Sequence, residues 1–141
     1  MKIVLDTNVL VSGLLTPFGS GGEIVRMVTA GRLTLCVDAR ILSEYDDVLR
    51  RPKFAFDEEL VDVFISFIKQ HAVFVSSIPL KEHLPDLDDE PFLEVAIAGN
   101  VKALVTGNKA HYPPEIVEGV GTLSPAEFLD YYTEATGTER T

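Results

Sequence analysis

Asp6 follows a short apolar run, Ile3 to Leu5, and is itself followed by Thr7 and Asn8. A buried strand that ends in an acid, a hydroxyl and an amide delivers them to the carboxyl edge of an open α/β sheet, where such sheets place ligands. Glu44 falls within the first two turns of a predicted helix, next to Tyr45 of that helix's apolar stripe. Asp86, Asp88 and Asp89 cluster just before another helix, and Asn108 follows Thr106 and Gly107 after another strand. Oxygen donors of this kind select hard cations such as Mg²⁺ or Mn²⁺, whereas zinc prefers imidazole and thiolate. His71, His83 and His111 show no zinc spacing, and no glycine follows the acids where a calcium-binding EF-hand loop needs one. An acidic Mg²⁺/Mn²⁺ site can activate water and hold a phosphate oxygen, which suits hydrolysis of a phosphodiester.

Each acid also has a plainer use. Asp6 can cap the helix that starts near Val9, and Glu44 alone can be a solvated helix residue. The Asp86–Asp89 cluster can cap a helix and complement its dipole, at about 0.3–1 kcal/mol per acid. A cap needs one acid, however, and three lie here with Glu90 behind them. Carboxylates this close repel and raise one another's pKa unless a cation sits between them.

These residues need a scaffold that brings them to one place. Strand-like apolar runs occur at 3–5, 33–37, 73–75 and 103–106, with a short one at 122–123. Between them, apolar stripes at helical spacing predict helices over 9–15, 23–30, 39–50, 57–72, from Pro91 to about Gly99, and from Ser124 to about 136. Thr16 to Gly22 reads as a loop, without the spacing of a phosphate-binding fingerprint. Asp38 is a good N-cap, Pro52 a stop, and Ser124-Pro125-Ala126-Glu127 a capping box. Leu60, Val61, Phe64, Ile65 and Ile68 form the buried face expected of the 57–72 helix. Strands alternating with helices predict an α/β fold, a parallel sheet covered on both faces, with all strand carboxyl ends on one edge.

The bulk properties agree with one domain. The chain has 141 residues, 46% of them hydrophobic, and a single cysteine, Cys36, which excludes an internal disulfide framework. No leader-like or membrane-spanning apolar stretch is visible, so a soluble cytoplasmic protein is expected. The net charge is −10. A protein that grips nucleic acid by electrostatics alone should be basic. Either nucleic acid is not the partner, or a cation neutralises part of this charge. Surface acids that aid solubility account for the rest.

Taken together, four segments resemble a PIN domain: Asp6-Thr7-Asn8-Val9-Leu10; Ser43-Glu44-Tyr45-Asp46-Asp47-Val48-Leu49 with Arg51-Pro52-Lys53-Phe54; Asp86-x-Asp88-Asp89-x-x-Phe92-Leu93-Glu94-x-Ala96; and Val105-Thr106-Gly107-Asn108-Lys109-x-His111-Tyr112-Pro113. The chain is similar to the subgroup of toxins from toxin–antitoxin modules, the VapC-like ribonucleases. The resemblance implies a three-layer α/β/α sandwich around a mainly parallel sheet of four to five strands. It spans residues 1–136 as a single domain, with a frayed tail at 137–141. It also implies an endoribonuclease working through Mg²⁺ or Mn²⁺, hydrolysing RNA by metal-activated water. The family's acids fall on Asp6, Glu44 and Asp89, with Asp86 and Asp88 as near alternatives. The fourth position falls on Asn108, where many PIN domains carry Asp. Asn8 and Thr106 would be supporting polar residues. Arg50, Arg51, Lys53 and Lys109 would guide the RNA backbone, although Arg50 to Lys53 also suit the end of a helix dipole. A homodimer, through the apolar helix at Leu60 to Ile68, and a cognate antitoxin are the implied protein partners; no membrane is implied.

Two other readings remain open. Asn108 leaves room for a catalytically degenerate PIN domain that only binds protein or RNA. A haloacid-dehalogenase-like phosphatase also places Asp after its first strand, but it needs a second Asp where this chain has Asn8.

Overall fold

In the computed structural model, residues 1–117 and 119–137 are described. Their strands are β1 (Lys2–Leu5), β2 (Thr34–Val37), β3 (Val73–Phe74), β4 (Ala103–Val105) and β5 (Thr122–Leu123). Their helices are α1 (Thr7–Leu15), α2 (Ser20–Thr29), α3 (Ala39–Leu49), α4 (Glu58–His71), α5 (Glu90–Ala98) and α6 (Pro125–Thr136). The strands form one parallel sheet in the order β3-β2-β1-β4-β5. β1 is central because Ile3, Val4 and Leu5 are apolar on both faces, and all three are fully buried. Ile3 registers with Leu35 on one side and with Ala103 on the other. Helices cover both faces, so the architecture is the expected three-layer α/β/α sandwich. α5 packs across β1, β2 and β4, while α6 packs against β4, β5 and α2.

Local signals set most element boundaries. Asp38 caps α3 by accepting from the Ile41 N–H at 3.0 Å. Ser124 and Glu127 complete the capping box at α6, with bonds of 3.2 and 2.9 Å. Gly31 (φ 81°) reverses the chain after α2 in a conformation that side chains rarely adopt. Gly137 turns the chain after α6 in the same left-handed way, and the rest of the expected frayed tail, 138–141, lies outside the described residues.

Three expectations need correction. The segment 16–22 is not all loop: α2 begins at Ser20, three residues before the predicted start. Its glycines are helical because α1 and α2 cross where no side chain fits. A Cβ on Gly13 would lie 2.7 Å from the Gly21 carbonyl oxygen. Leu60 does not belong to the buried face of α4; it is 69% exposed, whereas Val61, Ile65 and Ile68 are buried. β3 is no doubly buried strand either. It lies at the sheet edge, where Val73 and Phe74 are both exposed. Among the described residues no helix is long and apolar enough to cross a membrane.

Candidate active site

β1 passes directly into Asp6, whose backbone is still extended before α1 starts. Asp6 occupies the N-cap position of α1, yet its side chain does not cap the helix. It turns toward the end of β4 instead. Its Oδ2 accepts from the Thr106 hydroxyl at 2.9 Å and from the Tyr112 hydroxyl at 3.0 Å. The N–H groups of Thr7 and Asn8 favour the anion without completing a cap. Asp6 is 5% exposed. Burial outweighs those hydrogen bonds and raises its pKa above the usual carboxylate value.

α3 brings the second acid. Tyr45, fully buried, donates its hydroxyl to the Leu5 carbonyl and so fixes α3 against the end of β1. Glu44, its neighbour, accepts from the hydroxyl of Thr7, the first residue of α1. The Glu44 carboxyl is also shifted upward, first by burial and then by the negative charges of Asp6 and Asp88, against the Thr7 hydrogen bond.

The cluster before α5 divides its labour. Asp86 is the cap: its Oδ1 accepts from the Asp88 N–H at 2.9 Å and opens a 3-10 turn over Leu87–Asp89. Asp88 is exposed. Asp89 turns inward, its side chain 13% exposed, and its Oδ2 meets His111 Nδ1 at 2.8 Å. Burial, followed by the charge of Asp6, pushes Asp89 up to about 6, against the pull of His111. Ligating atoms of Asp86, Asp89 and His111 lie within 4.8 Å of one another. A nitrogen donor therefore stands beside the oxygen set that the sequence suggested.

Asn108 holds that imidazole. Its side-chain amide nitrogen lies 2.9 Å from His111 Nε2, and an amide nitrogen only donates. In this arrangement Nε2 accepts, so the proton of a neutral ring sits on Nδ1 and is donated to Asp89. The Asn108 backbone N–H in turn bonds Thr106 Oγ1 at 3.1 Å. Asn8 Oδ1 accepts from the Gly107 N–H at 3.0 Å, tying the loop after β4 to α1. Thr106 and Asn8 thus stand at the site by direct bonds.

The basic residues are held by other partners, although the charge of Arg51 reaches Glu44 and lowers its pKa somewhat. Arg50 pairs with Asp46 and Asp62 at 2.9 and 2.6 Å, Arg51 with Asp47 at 3.2 Å, and Lys109 with Glu127 at 2.9 Å. Lys53 lies over the Phe54 ring, 5.1 Å from its centre. Asp6 therefore lies close enough to Glu44 and to Asp89 for its charge to raise both, and Arg51 offsets only part of this at Glu44. That donor set fits a divalent cation. Thr7, His111 and Tyr112 stood inside the sequence motifs, but no spacing rule announces a hydroxyl or imidazole as a partner for a particular acid.

Burial of Asp89, with the charge of Asp6 added, has a measurable cost without metal. Asp89 titrates near 6 in the folded chain against 3.8 for the free group, so the folded state binds the extra proton between those values. The penalty is absent below the lower value and complete above the upper. In chelator, Asp89→Asn is expected to be more stable than wild type at pH 7 by on the order of 2 kcal/mol, with the gap closing as pH falls through 6 toward 4. Denaturant melts across that range measure it, and a gap independent of pH would refute the upward shift of Asp89.

A family profile described as a PIN domain matches residues 2–110. The matched span includes Asp6, Glu44, the Asp86–Asp89 cluster and Asn108, and stops short of His111 and Tyr112. No curated protein matches the chain.

Proposed function

The chain belongs to the PIN domain family, whose members are generally nucleases, and on that premise we propose that it is a Mg²⁺- or Mn²⁺-dependent endoribonuclease. The reading is supported above all by one observation. Asp6, Glu44 and Asp89 come from three elements to one sheet edge, burial raises the pKa of all three, and the charge of Asp6 adds to the rise at the other two.

In this reading Asp6, Glu44 and Asp89 hold the ion, with Asp86 and Asp88 beside them. When bound, the ion supplies activation of water and neutralises charge at the scissile phosphate. The protein's own groups then have distinct tasks. Thr106 and Tyr112 keep Asp6 in one orientation, and Thr7 does the same for Glu44. Arg50, Arg51, Lys53 and Lys109 reach the RNA backbone only by leaving their present partners. With a net charge of −10, RNA affinity is expected to depend on the metal more than on basic side chains.

The resemblance to VapC-like proteins extends the proposal to a toxin of a type II toxin–antitoxin module, acting in the cytoplasm as a homodimer with a cognate antitoxin. Leu60 and Val63, both exposed on α4, supply apolar surface for such a contact. One observation favours the rival reading of a binding module without catalysis: Asn108 supplies an amide donor to His111 where an acid would ligate.

The test is cleavage of a mixed RNA panel in Mg²⁺ and in Mn²⁺, wild type against Asp89→Asn. Metal-dependent cleavage by wild type, lost in the variant, is the expected result. Metal binding with no cleavage of any RNA would favour the binding module, and absence of metal binding would overturn the site.

A further inference from the structure

His111 and Tyr112 are consecutive, lie just past the family match, and each grips an oxygen of a different acid. The Tyr112 hydroxyl and the Thr106 hydroxyl both donate to Oδ2 of Asp6. Two hydrogen bonds use both lone pairs of that oxygen. Tyr112 is 2% exposed, so its hydroxyl meets Asp6 away from competing solvent. His111 covers Oδ2 of Asp89 in the same manner, and Asn108 fixes its ring from behind. For Asp6, Oδ1 is the oxygen that neither hydroxyl covers; for Asp89, Oδ1 is the oxygen that His111 leaves uncovered.

Which oxygens are available decides which cation suits the site. Ca²⁺ takes six to eight oxygens and readily accepts a carboxylate through both of its atoms, whereas Mg²⁺ requires near-octahedral ligation by single oxygens. Groups that hydrogen-bond to ligating carboxylates tune the metal as strongly as many ligands do. Resting on the metal-site reading above, we propose that Tyr112, with His111 beside it, is a specificity-determining positioning residue. By occupying one oxygen of Asp6 and one of Asp89, the pair enforces single-oxygen ligation and selects Mg²⁺ and Mn²⁺ against Ca²⁺. Tyr112→Phe frees Oδ2 of Asp6 from one of its two donors and lets that carboxylate turn to chelate.

The experiment is calorimetric titration of the full chain with Mn²⁺ and with Ca²⁺, without RNA, for wild type, Tyr112→Phe, His111→Gln and Asp6→Asn. Tyr112→Phe is expected to lower the ratio of Mn²⁺ to Ca²⁺ affinity by about 10-fold. His111→Gln should move the ratio in the same direction, and it carries the test if Tyr112→Phe melts too low to assay, since the His111 side chain is 40% exposed. A purely structural role would weaken both ions by the same factor, and an unchanged ratio in both variants overturns the inference. If wild type binds neither ion, or Asp6→Asn binds Mn²⁺ as wild type does, the metal site itself falls and this inference with it. Binding that needs Asp6 but shows an unchanged ratio overturns the selectivity role alone.

Discussion

Asp6→Asn is expected to reduce RNA hydrolysis by at least about 100-fold while leaving the metal-free protein as stable as wild type or more so. Loss of a group that merely hydrogen-bonds to a ligand costs about 10–100-fold in metal affinity or activity, and a ligand should cost no less than the upper end. The stability half of the prediction follows from burial. Asp6 is a buried carboxylate whose pKa is raised by that burial, and its charge raises both Glu44 and Asp89. Asparagine keeps an oxygen that can accept from Thr106 and Tyr112, and it removes the charge. Single-turnover cleavage in Mn²⁺ and a melt in chelator measure the two halves. Full activity would sink the assignment of Asp6 to the metal. Lost activity with a collapsed metal-free melting temperature would make Asp6 a structural anchor instead.

Gly22→Ala is expected to destabilise the fold by about 2–3 kcal/mol, although Gly to Ala inside a helix ordinarily stabilises by about 0.5–1 kcal/mol. The sign reverses because of the α1–α2 turn. A Cβ on Gly22 would lie 2.1 Å from the Pro17 carbonyl oxygen, well inside van der Waals contact. That carbonyl cannot simply retreat, since the Arg26 guanidinium donates to it. Relieving the overlap means moving backbone and breaking a charge-assisted hydrogen bond. Urea denaturation with an unchanged slope would read the loss directly. If Gly22→Ala matched or exceeded wild type, the turn would be free to move and close approach would not be what starts α2 at Ser20.

Both predictions depend on distances that no residue carries in its own type, and this marks the limit of what the chain announces about itself. The run Ile3 to Leu5 was legible as a buried strand, and so was the polar break at Asp6 that follows it, while the strand's central place came from the fold. Asp38 and the Ser124–Glu127 box marked their helix ends because capping is decided within a few residues. The alternation of strands and helices implied a parallel sheet, and parallel strands put the ends of β1 and β4 on one edge. That brought Asp6 and Thr106 together from sequence alone.

Tertiary packing decided the rest. Only the fold separates Asp86, which caps a turn, from Asp89, which faces the site, because three neighbouring acids look alike until one of them is buried. It also pairs Thr7 with Glu44 across 37 positions and Tyr112 with Asp6 across 106. Leu60 stays in solvent while its helical neighbour Val61 is buried, since α4 has more apolar residues than the core can cover. Periodicity and capping are short-range and therefore written in the chain. The partner of each acid, and the oxygen it leaves for a ligand, follow from where separate elements meet when the core closes.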